Sequence, residues 1–416
     1  ARPIGRPSSM DPVRRQYEAY PYPERDPADE ATRLVVGSPS HPQEIDHFVF
    51  RGRRDWSRPF RALVAGGGTG DGLIMLAQLL SDAGCPAEIT YLDLSETARA
   101  VAEARAAARG LTSIRFRTGD VLEAPSLAAE GGPFDYIDCC GVLHHLPDPQ
   151  AGFQALSDAL AEEGGLGLMV YAPYGRTGVY PLQEAFRTLL ADASPSDKVA
   201  LARQALGALP ETNWFGRNPL LSDHETSDAG LHDLLLHDRD RPFSVNELVE
   251  ALQGAGLDLV SVVEPARYDP ARLLPATPEF EARLKPLSRV QRWALGERLA
   301  GDLRMHVGYA ARAARAPKAM ATLTPDAVPR LTVGPRALAR RVEETGSVRV
   351  TFKSRPIDLE IPRAAAPLIA RLGEGRPFAE LAMGAGLDWL AYAQAFGPVW
   401  RALTSANLLC CSRGLP

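Results

Sequence analysis

A glycine-rich segment directly after a short, largely apolar run is the feature that most constrains this chain. The run Arg61–Ala65 suits a buried strand, and the sequence LVAGGGTGDG then opens the helix-like stretch Leu73–Leu80. Glycines let a backbone approach a ligand closely, and a helix N-terminus offers unpaired N–H groups. The segment predicts a ligand-binding strand, turn and helix that use Gly66, Gly67, Gly68 and Gly70. Taken alone, it also fits a dinucleotide site or a packing turn.

Strand-like and helix-like segments alternate after this turn. Four further strands are predicted, at residues 88–94, 113–121, 134–141 and 164–172. Helical stretches separate them, which predicts a parallel sheet with helices on both faces. Two more strands are predicted after residue 257, at 258–265 and 305–313. The expected fold is α/β: a Rossmann-like, doubly wound sheet of seven strands with a helical insertion.

Carboxylates follow two of the predicted strands. Asp93, with Leu94 beside it, ends the second strand, where a carboxylate can accept both hydroxyls of a ribose. Asp120 follows the third strand with Val121 next to it, in a position suited to an adenine amino group. Because the carboxyl ends of parallel strands meet at one edge, these groups are expected to surround one ligand.

These motifs resemble a known family. AGGGTG, YLDLS, TGDV and FDYIDCCGVLHHLPDP, in this order, look like the motifs of class I methyltransferases that use S-adenosylmethionine. The resemblance implies an enzyme that binds S-adenosylmethionine at the glycines and carboxylates above, with contributions from Cys140 and Gly141. The segment VRRQYEAYPYPERDP resembles the QYExxPYP segment of a bacterial, tetratricopeptide-associated subset. The C-terminal region loosely resembles the winged-helix-like domain of bacterial protein-lysine methyltransferases.

One position departs from the family pattern. Most members carry an acidic residue two positions before the first glycine, and this chain has Val64 there. Another group must then hold the ammonium of the methionine moiety. Asp71 and a backbone carbonyl near Cys140 and Gly141 are the alternatives.

Catalytic candidates lie in two segments. The resemblance implies that the N-terminal segment forms a lid with Tyr17, Tyr20 and Tyr22 at the active site; a rigid arm packed on the core is the alternative. His144 and His145 follow the fourth strand, at the edge where ligands bind in open α/β sheets. One of them can serve as a general base, or both can form a wall of the pocket.

The segment after the fifth strand is predicted to present the acceptor. Tyr174, Arg176, Tyr180 and His237 are the candidate substrate-binding residues, and Arg176 would suit a carboxylate or phosphate. Three histidines in the acidic segment from 220 to 241 have no regular ligand spacing, and the five cysteines form no CxxC pair, so no metal site is expected.

The expected organisation has six parts. They are an extension or tag remnant (1–9), an arm or lid (10–60), a cofactor-binding core (61–172), a helical substrate insertion (173–241), the rest of the methyltransferase core (242–316) and a small winged-helix-like domain (317–416).

Composition limits the class of partner. The net charge of −5 disfavours nucleic acid, and the apolar runs are too short for a membrane span. A cytoplasmic enzyme is expected, acting on a protein or small-molecule acceptor, with a homodimer as one arrangement. The expected reaction is in-line transfer of a methyl group to nitrogen or oxygen. Two rival hypotheses are a non-catalytic regulatory protein that binds S-adenosylmethionine and a nicotinamide-dependent oxidoreductase.

Overall fold

The computed structural model describes residues 12–19, 21–352 and 354–415, and a seven-stranded sheet lies at the centre of this part of the chain. Its strands are β1 (Phe60–Ala65), β2 (Ala87–Asp93), β3 (Ile114–Thr118), β4 (Phe134–Cys140), β5 (Leu160–Tyr171), β6 (Leu257–Val262) and β7 (Met305–Arg312). The order across the sheet is β3-β2-β1-β4-β5-β7-β6. The predicted α/β fold is confirmed. The sheet is not wholly parallel, because β7 runs antiparallel between β5 and β6.

Alternation along the strands divides the core into two layers. In β1, Leu63 and Ala65 pack into the apolar cluster on one face of the sheet, whereas Ala62 and Val64 pack into the cluster on the other. Such alternation is what a strand buried on both faces requires. The helices that pack around the sheet are α3 (Asp71–Asp82), α4 (Glu96–Ala108), α5 (Ala124–Gly131), α6 (Pro149–Ala159), α11 (Val245–Gly254) and α13 (Arg289–Ala300), and the short helix α12 (Pro278–Leu284) precedes α13.

The strand order fixes where a ligand can bind. From β1 the chain passes outward to β2 and β3, and it then returns to β4 on the opposite side of β1. The order therefore reverses between β1 and β4. Open α/β sheets bind ligands in the crevice at the carboxyl ends of strands where this reversal occurs.

The segment before β1 has two different parts. Helix α1 (Pro12–Ala19) and residues 22–23 and 35–39 contribute to a cavity at the carboxyl edge of the sheet, next to the glycine turn. Helix α2 (Pro42–Val49) instead buries Ile45, Phe48 and Val49 against the sheet. The second half of the segment expected to form an arm thus belongs to the core packing.

The insertion after β5 is helical, with a small apolar cluster of its own. Its helices are α7 (Val179–Leu189), α8 (Pro195–Gly207), α9 (Asp223–Thr226) and α10 (Asp228–Leu235). Helix α10 returns to the carboxyl edge of the sheet, where Asp233 lines the main cavity.

The C-terminal region has a separate apolar cluster. Its helices are α14 (Pro335–Thr345), α15 (Ala366–Ile369), α16 (Phe378–Gly384) and α17 (Trp389–Ser405), and its antiparallel strand pairs are β9 (Ser347–Thr351) with β10 (Pro356–Glu360) and β8 (Pro329–Leu331) with β11 (Leu409–Cys411). Asp46 of α2 accepts the Ser412 hydroxyl at 2.7 Å, which joins this region to the core. The winged-helix likeness of this region stays a prediction.

None of the helices in the described part of the chain combines the length and the apolar character that crossing a membrane requires.

Candidate functional site

A cavity of about 550 Å³ lies at the carboxyl ends of β1 to β4. This size suits a small-molecule cofactor. The residues predicted to bind the cofactor or to act in catalysis that line it are Tyr17, Tyr22, Gly66, Gly67, Gly68, Asp71, Asp93, Leu94, Asp120, Val121, Cys140, Gly141 and His145. The fold thus brings most of the predicted site residues to one place.

The glycine turn is held tightly on both sides. Gly66 has a φ of +77°, and a Cβ atom there would lie 2.1 Å from Val142 Cγ2. Gly68 has a φ of +50°, and a Cβ atom there would lie 3.1 Å from the carbonyl oxygen of Tyr22. Both positions therefore favour glycine for backbone conformation and for space.

Asp93 connects the end of β2 to this turn. Its carboxylate accepts the N–H of Gly68 at 2.8 Å and the N–H of Ser95 at 2.9 Å. Burial raises the pKa of Asp93 above its ordinary value. Asp120 caps the short helical turn after β3 by accepting the N–H of Leu122 at 2.9 Å. Each carboxylate keeps further lone pairs for a ligand, since each oxygen can accept two hydrogen bonds.

Asp71 is already paired with two cations. Arg25 donates to both of its oxygens, at 2.8 and 2.6 Å, and Arg105 donates to Oδ1 at 2.8 Å. Arg105 also binds Glu30, so the network continues to the segment that carries Arg25. Asp71 thus anchors the N-terminal segment, which makes it a weak candidate for an additional ammonium group.

The N-terminal arm, defined here as residues 12–19 and 21–31, forms hydrogen bonds to the glycine turn and to the start of α4. Thr69 donates its hydroxyl to the carbonyl of Pro23 at 2.7 Å. Glu18 accepts the N–H groups of Glu96 and Thr97 at the start of α4, at 2.8 and 3.1 Å. Tyr17 and Tyr22 both line the cavity, whereas Tyr20 lies outside the described residues.

Two histidines form a stacked pair at the cavity wall. The rings of His145 and His237 are 3.7 Å apart and nearly parallel. Nδ1 of His145 lies 2.7 Å from the carbonyl oxygen of Arg239, whereas Nδ1 of His237 accepts the N–H of the same residue at 3.1 Å. Since a carbonyl only accepts and an amide N–H only donates, His145 carries its proton on Nδ1 and neutral His237 carries its proton on Nε2.

Tyrosine hydroxyls surround the carboxylate next to this pair. Tyr17 and Tyr171 donate to the two oxygens of Asp233, at 3.2 and 2.8 Å. Burial, followed by the nearby Asp233, raises the pKa of both tyrosines well above the ordinary value. Both hydroxyls therefore keep their protons at neutral pH. They form a polar wall that connects the arm, β5 and α10.

His144 lies behind this wall. Its ring packs 4.1 Å from Tyr171, and within the described residues neither ring nitrogen has a hydrogen-bond partner. Burial lowers its pKa well below the ordinary value, so His144 is neutral. It does not line the cavity, unlike its neighbour His145.

None of the predicted substrate-binding residues of the insertion lines the cavity. Arg176 is buried, forms an ion pair with Asp240 at 2.9 Å and stacks 3.7 Å above the ring of Tyr171. Its Nε donates to the hydroxyl of Tyr180 at 3.0 Å. Neither these two residues nor Tyr174 and His237 are part of the lining. Arg176 therefore supports the wall, and its contact with an acceptor stays a prediction.

Potential metal ligands come together twice in the described residues. His145, Asp233 and His237 form one set and His144, His145 and Asp240 the other, each within 4.8 Å. In the first set Asp233 already accepts two hydroxyls, and Nε2 of His237 carries a proton. In the second, Asp240 is paired with Arg176 through Oδ2. The histidines at 224 and 232, considered in the sequence, belong to neither set.

Several residues of the lining carried no predicted role, among them Asp138, Met169, Tyr171, Asp233 and Arg239. Asp138 had a usable signal, because a charged residue inside the apolar strand FDYIDCC is unusual for a buried position. Asp233 and Arg239 gave no such signal in the sequence, because their positions at the cavity depend on how the insertion folds back onto the sheet.

The comparisons with known proteins agree with this geometry. Residues 63–166 match a family model described as a methyltransferase domain. An uncharacterized protein of Synechococcus sp. is 31% identical over 288 residues, which cover 68% of this chain and 67% of that protein. PKMT2 from Rickettsia typhi has a similar fold, with a TM-score of 0.56 and 12% identity over 96% of this chain and 76% of that one.

A second structure of PKMT2 from Rickettsia typhi, in complex with AdoHcy, aligns with a TM-score of 0.57 and 14% identity over 86% of this chain and 72% of that one. AdoHcy is what remains of S-adenosylmethionine after its methyl group has left. The matched domain contains the glycine turn, the two carboxylates predicted to bind the cofactor and the two histidines after β4. The chain therefore belongs to the class I methyltransferases, enzymes whose cofactor is S-adenosylmethionine.

Proposed function

We propose that this enzyme methylates a protonated nitrogen or oxygen nucleophile, on a protein side chain or a small metabolite, and that His145 is the general base. The observation that carries the proposal is the state of the His145 ring. Its Nδ1 proton is held by the carbonyl of Arg239, and Nε2 has no hydrogen-bond partner in the described part of the chain. In the neutral ring the lone pair therefore lies on Nε2 of a residue that lines the cavity.

The residues present fit the cofactor. The glycine turn leaves no room for side chains at Gly66, and the carboxylates of Asp93 and Asp120 lie at the ends of adjacent strands, where they would hold the ribose and the adenine. When bound, S-adenosylmethionine supplies a methyl group on a sulfonium, whose leaving group needs no protonation. The protein therefore has to position the acceptor and remove its proton.

Methylation releases one proton from the acceptor, and His145 is the residue that accepts it. A lone pair of the acceptor forms a bond to the methyl carbon, and the carbon–sulfur bond breaks, which yields the methylated acceptor and AdoHcy. The proton that the acceptor loses passes to Nε2 of His145. Both ring nitrogens of the imidazolium that forms are donors. Its Nδ1 keeps the hydrogen bond to the carbonyl of Arg239, and this bond stabilises the charged ring.

The polar wall next to His145 would orient the acceptor. Asp233 is held by Tyr17 and Tyr171, so its position is fixed before the acceptor arrives. A carboxylate and two hydroxyls favour a polar acceptor with hydrogen-bond donors, such as an amine or an alcohol. This chemistry supports nitrogen or oxygen as the methylated atom.

Matched variants of the adjacent residues His144 and His145 test whether His145 is the general base. Transfer of labelled methyl groups from S-adenosylmethionine is measured separately into the protein and the small-molecule fractions of a bacterial lysate. His145→Asn should lower the rate about 100-fold, the usual effect of losing a general base, with the affinity for S-adenosylmethionine unchanged. His144→Asn should stay within a few-fold of the wild type. Equal losses in both variants, or none in His145→Asn, would exclude the base.

A further inference from the structure

Asp138 is a buried acidic residue that lines the cavity. The residue is only 3% exposed, and its Oδ1 has no hydrogen-bond partner within the described residues. Ser40 hydrogen-bonds the carboxyl group. A buried carboxylate oxygen without a partner is costly, so its presence in a native cavity calls for a partner that the protein does not itself supply.

The position of Asp138 in the sheet suggests what this partner is. Asp138 pairs in register with Val64, the position that is acidic in most members of the family, and both residues line the cavity. Asp93 and Asp120 lie on the other side of β1, at the ends of β2 and β3. If they hold the adenosine, the amino-acid end of the cofactor must extend across β1 toward β4.

The close packing around Asp138 keeps its carboxylate at this place. A Cβ atom on Gly72 would lie only 2.7 Å from Oδ2, so this side of the carboxylate rests against the start of α3. The other acidic candidate, Asp71, already binds Arg25 and Arg105. Within the described residues, Asp138 is therefore a buried carboxylate with an unpartnered oxygen at the β4 end of the cavity.

We propose that Asp138, on the neighbouring strand β4, binds the ammonium group of the methionine moiety. It thereby takes the role of the acidic residue that most members of the family carry at the position of Val64. The proposal deepens the proposed function and rests on it only through the cofactor; it is independent of the acceptor and of His145. Asp138 is a positioning residue here, because it holds the end of the cofactor that does not react.

Two ligands that differ only in the amino-acid end test the proposal. AdoHcy carries the ammonium, whereas 5′-methylthioadenosine has the same adenosine and thioether without the amino-acid part. Calorimetry on the full chain should show that Asp138→Asn weakens AdoHcy about 10- to 100-fold, the range expected for one charge-assisted hydrogen bond. The affinity for 5′-methylthioadenosine should stay within about 3-fold.

Control variants separate this role from a structural one. Asp135→Asn changes a carboxylate on the same strand that accepts the N–H of Arg61 and lies outside the cavity lining, so both affinities should be those of the wild type. His145→Asn should also bind AdoHcy and 5′-methylthioadenosine with the affinities of the wild type. The test of Asp138 therefore does not depend on whether His145 is the general base. Asp138→Ser is a second variant should the Asn variant not fold, with folding checked by thermal unfolding.

Either of two results would overturn the proposal. A parallel loss of both ligands in a folded Asp138 variant would mean that the residue only shapes the cavity. An unchanged preference for AdoHcy over 5′-methylthioadenosine would mean that another group holds the ammonium. A wild-type chain that binds neither ligand would remove the cofactor site itself, and the proposed function with it.

Discussion

His145 and His237 stack 3.7 Å apart, and the backbone of a single residue, Arg239, holds them in opposite tautomers. The carbonyl of Arg239 takes the proton of His145, and its N–H donates to His237. The two rings come from different parts of the fold, the end of β4 and the segment after α10. The insertion thereby sets the tautomer of a residue in the methyltransferase core.

This arrangement predicts the positions of two protons. Nitrogen NMR of the imidazole rings at neutral pH should show the proton of His145 on Nδ1 and that of His237 on Nε2. Burial lowers the pKa of His237 well below its ordinary value, so its ring should stay neutral as the pH falls from 7 to 6. His237→Phe keeps an aromatic ring but removes the acceptor for the Arg239 N–H, and turnover should fall about 10-fold. Identical tautomers in the two rings would contradict this assignment.

The second prediction concerns Asp93. Asp93→Asn should weaken the binding of S-adenosylmethionine by about 1.5–3 kcal/mol, because the lost contacts are charge-assisted and the site is nearly buried. Asp120→Asn should cost less, since an adenine amino group is a neutral donor. Calorimetry on both folded variants checks this order. A larger loss for Asp120→Asn would place the ribose elsewhere.

The third prediction concerns the arm as a lid. Adding S-adenosylmethionine should slow hydrogen exchange in residues 16–25, because Tyr17, Tyr22 and the Pro23 carbonyl all contact the cavity or its glycine turn. Deleting the arm through Pro23 should reduce turnover far more than thermal stability. The segment around α2 is the internal control, since its core packing should keep exchange slow with and without cofactor. Equal exchange in residues 16–25 under both conditions would leave the arm as a packing element.

The fourth prediction concerns the pH dependence of stability. Burial raises the pKa of Asp138 to about 6, above its ordinary value of 3.8. Since the folded state prefers the protonated carboxyl, the free energy of unfolding declines as the pH rises from about 4 to 6. The charged form then costs on the order of 3 kcal/mol, from about two pKa units at 1.36 kcal/mol each. Without cofactor, Asp138→Asn should therefore be more stable than the wild type at pH 7.5, and the two should converge near pH 4.

Urea denaturation at the two pH values measures this difference, with Asp135→Asn as the control variant. Adding AdoHcy should stabilise the wild type more than Asp138→Asn, since only the wild type offers a carboxylate to the ammonium. A variant that is less stable than the wild type at both pH values would show that Asp138 stabilises the fold through contacts of its own.

The last prediction concerns metal ions. Dialysis against a chelator should leave the methyl transfer rate unchanged. Asp233 already accepts two tyrosine hydroxyls, Asp240 is paired with Arg176, and Nε2 of His237 carries a proton. Loss of activity that zinc or iron restores would instead assign a catalytic metal to His144, His145 and Asp240, the set with unpartnered atoms.

The sequence predicted that the candidate cofactor-binding residues would come together, because their determinants are local. Gly66 directly follows β1, Asp93 ends β2 and Asp120 comes two residues after β3, and parallel strands bring their carboxyl ends to one edge. A motif placed on its strand is therefore also placed in space. The antiparallel direction of β7 was not predicted, since strand direction depends on the long connections before it.

The polar wall that we propose to orient the acceptor depends on the tertiary structure. Tyr17 and Asp233 are 216 residues apart in the chain, yet they share a hydrogen bond at the cavity wall. No local pattern encodes such a contact, because it depends on how the arm and the insertion pack on a finished sheet. The same holds for Asp138, whose charge is visible in the sequence, whereas its unpartnered oxygen beside Val64 exists only after β1 and β4 have paired.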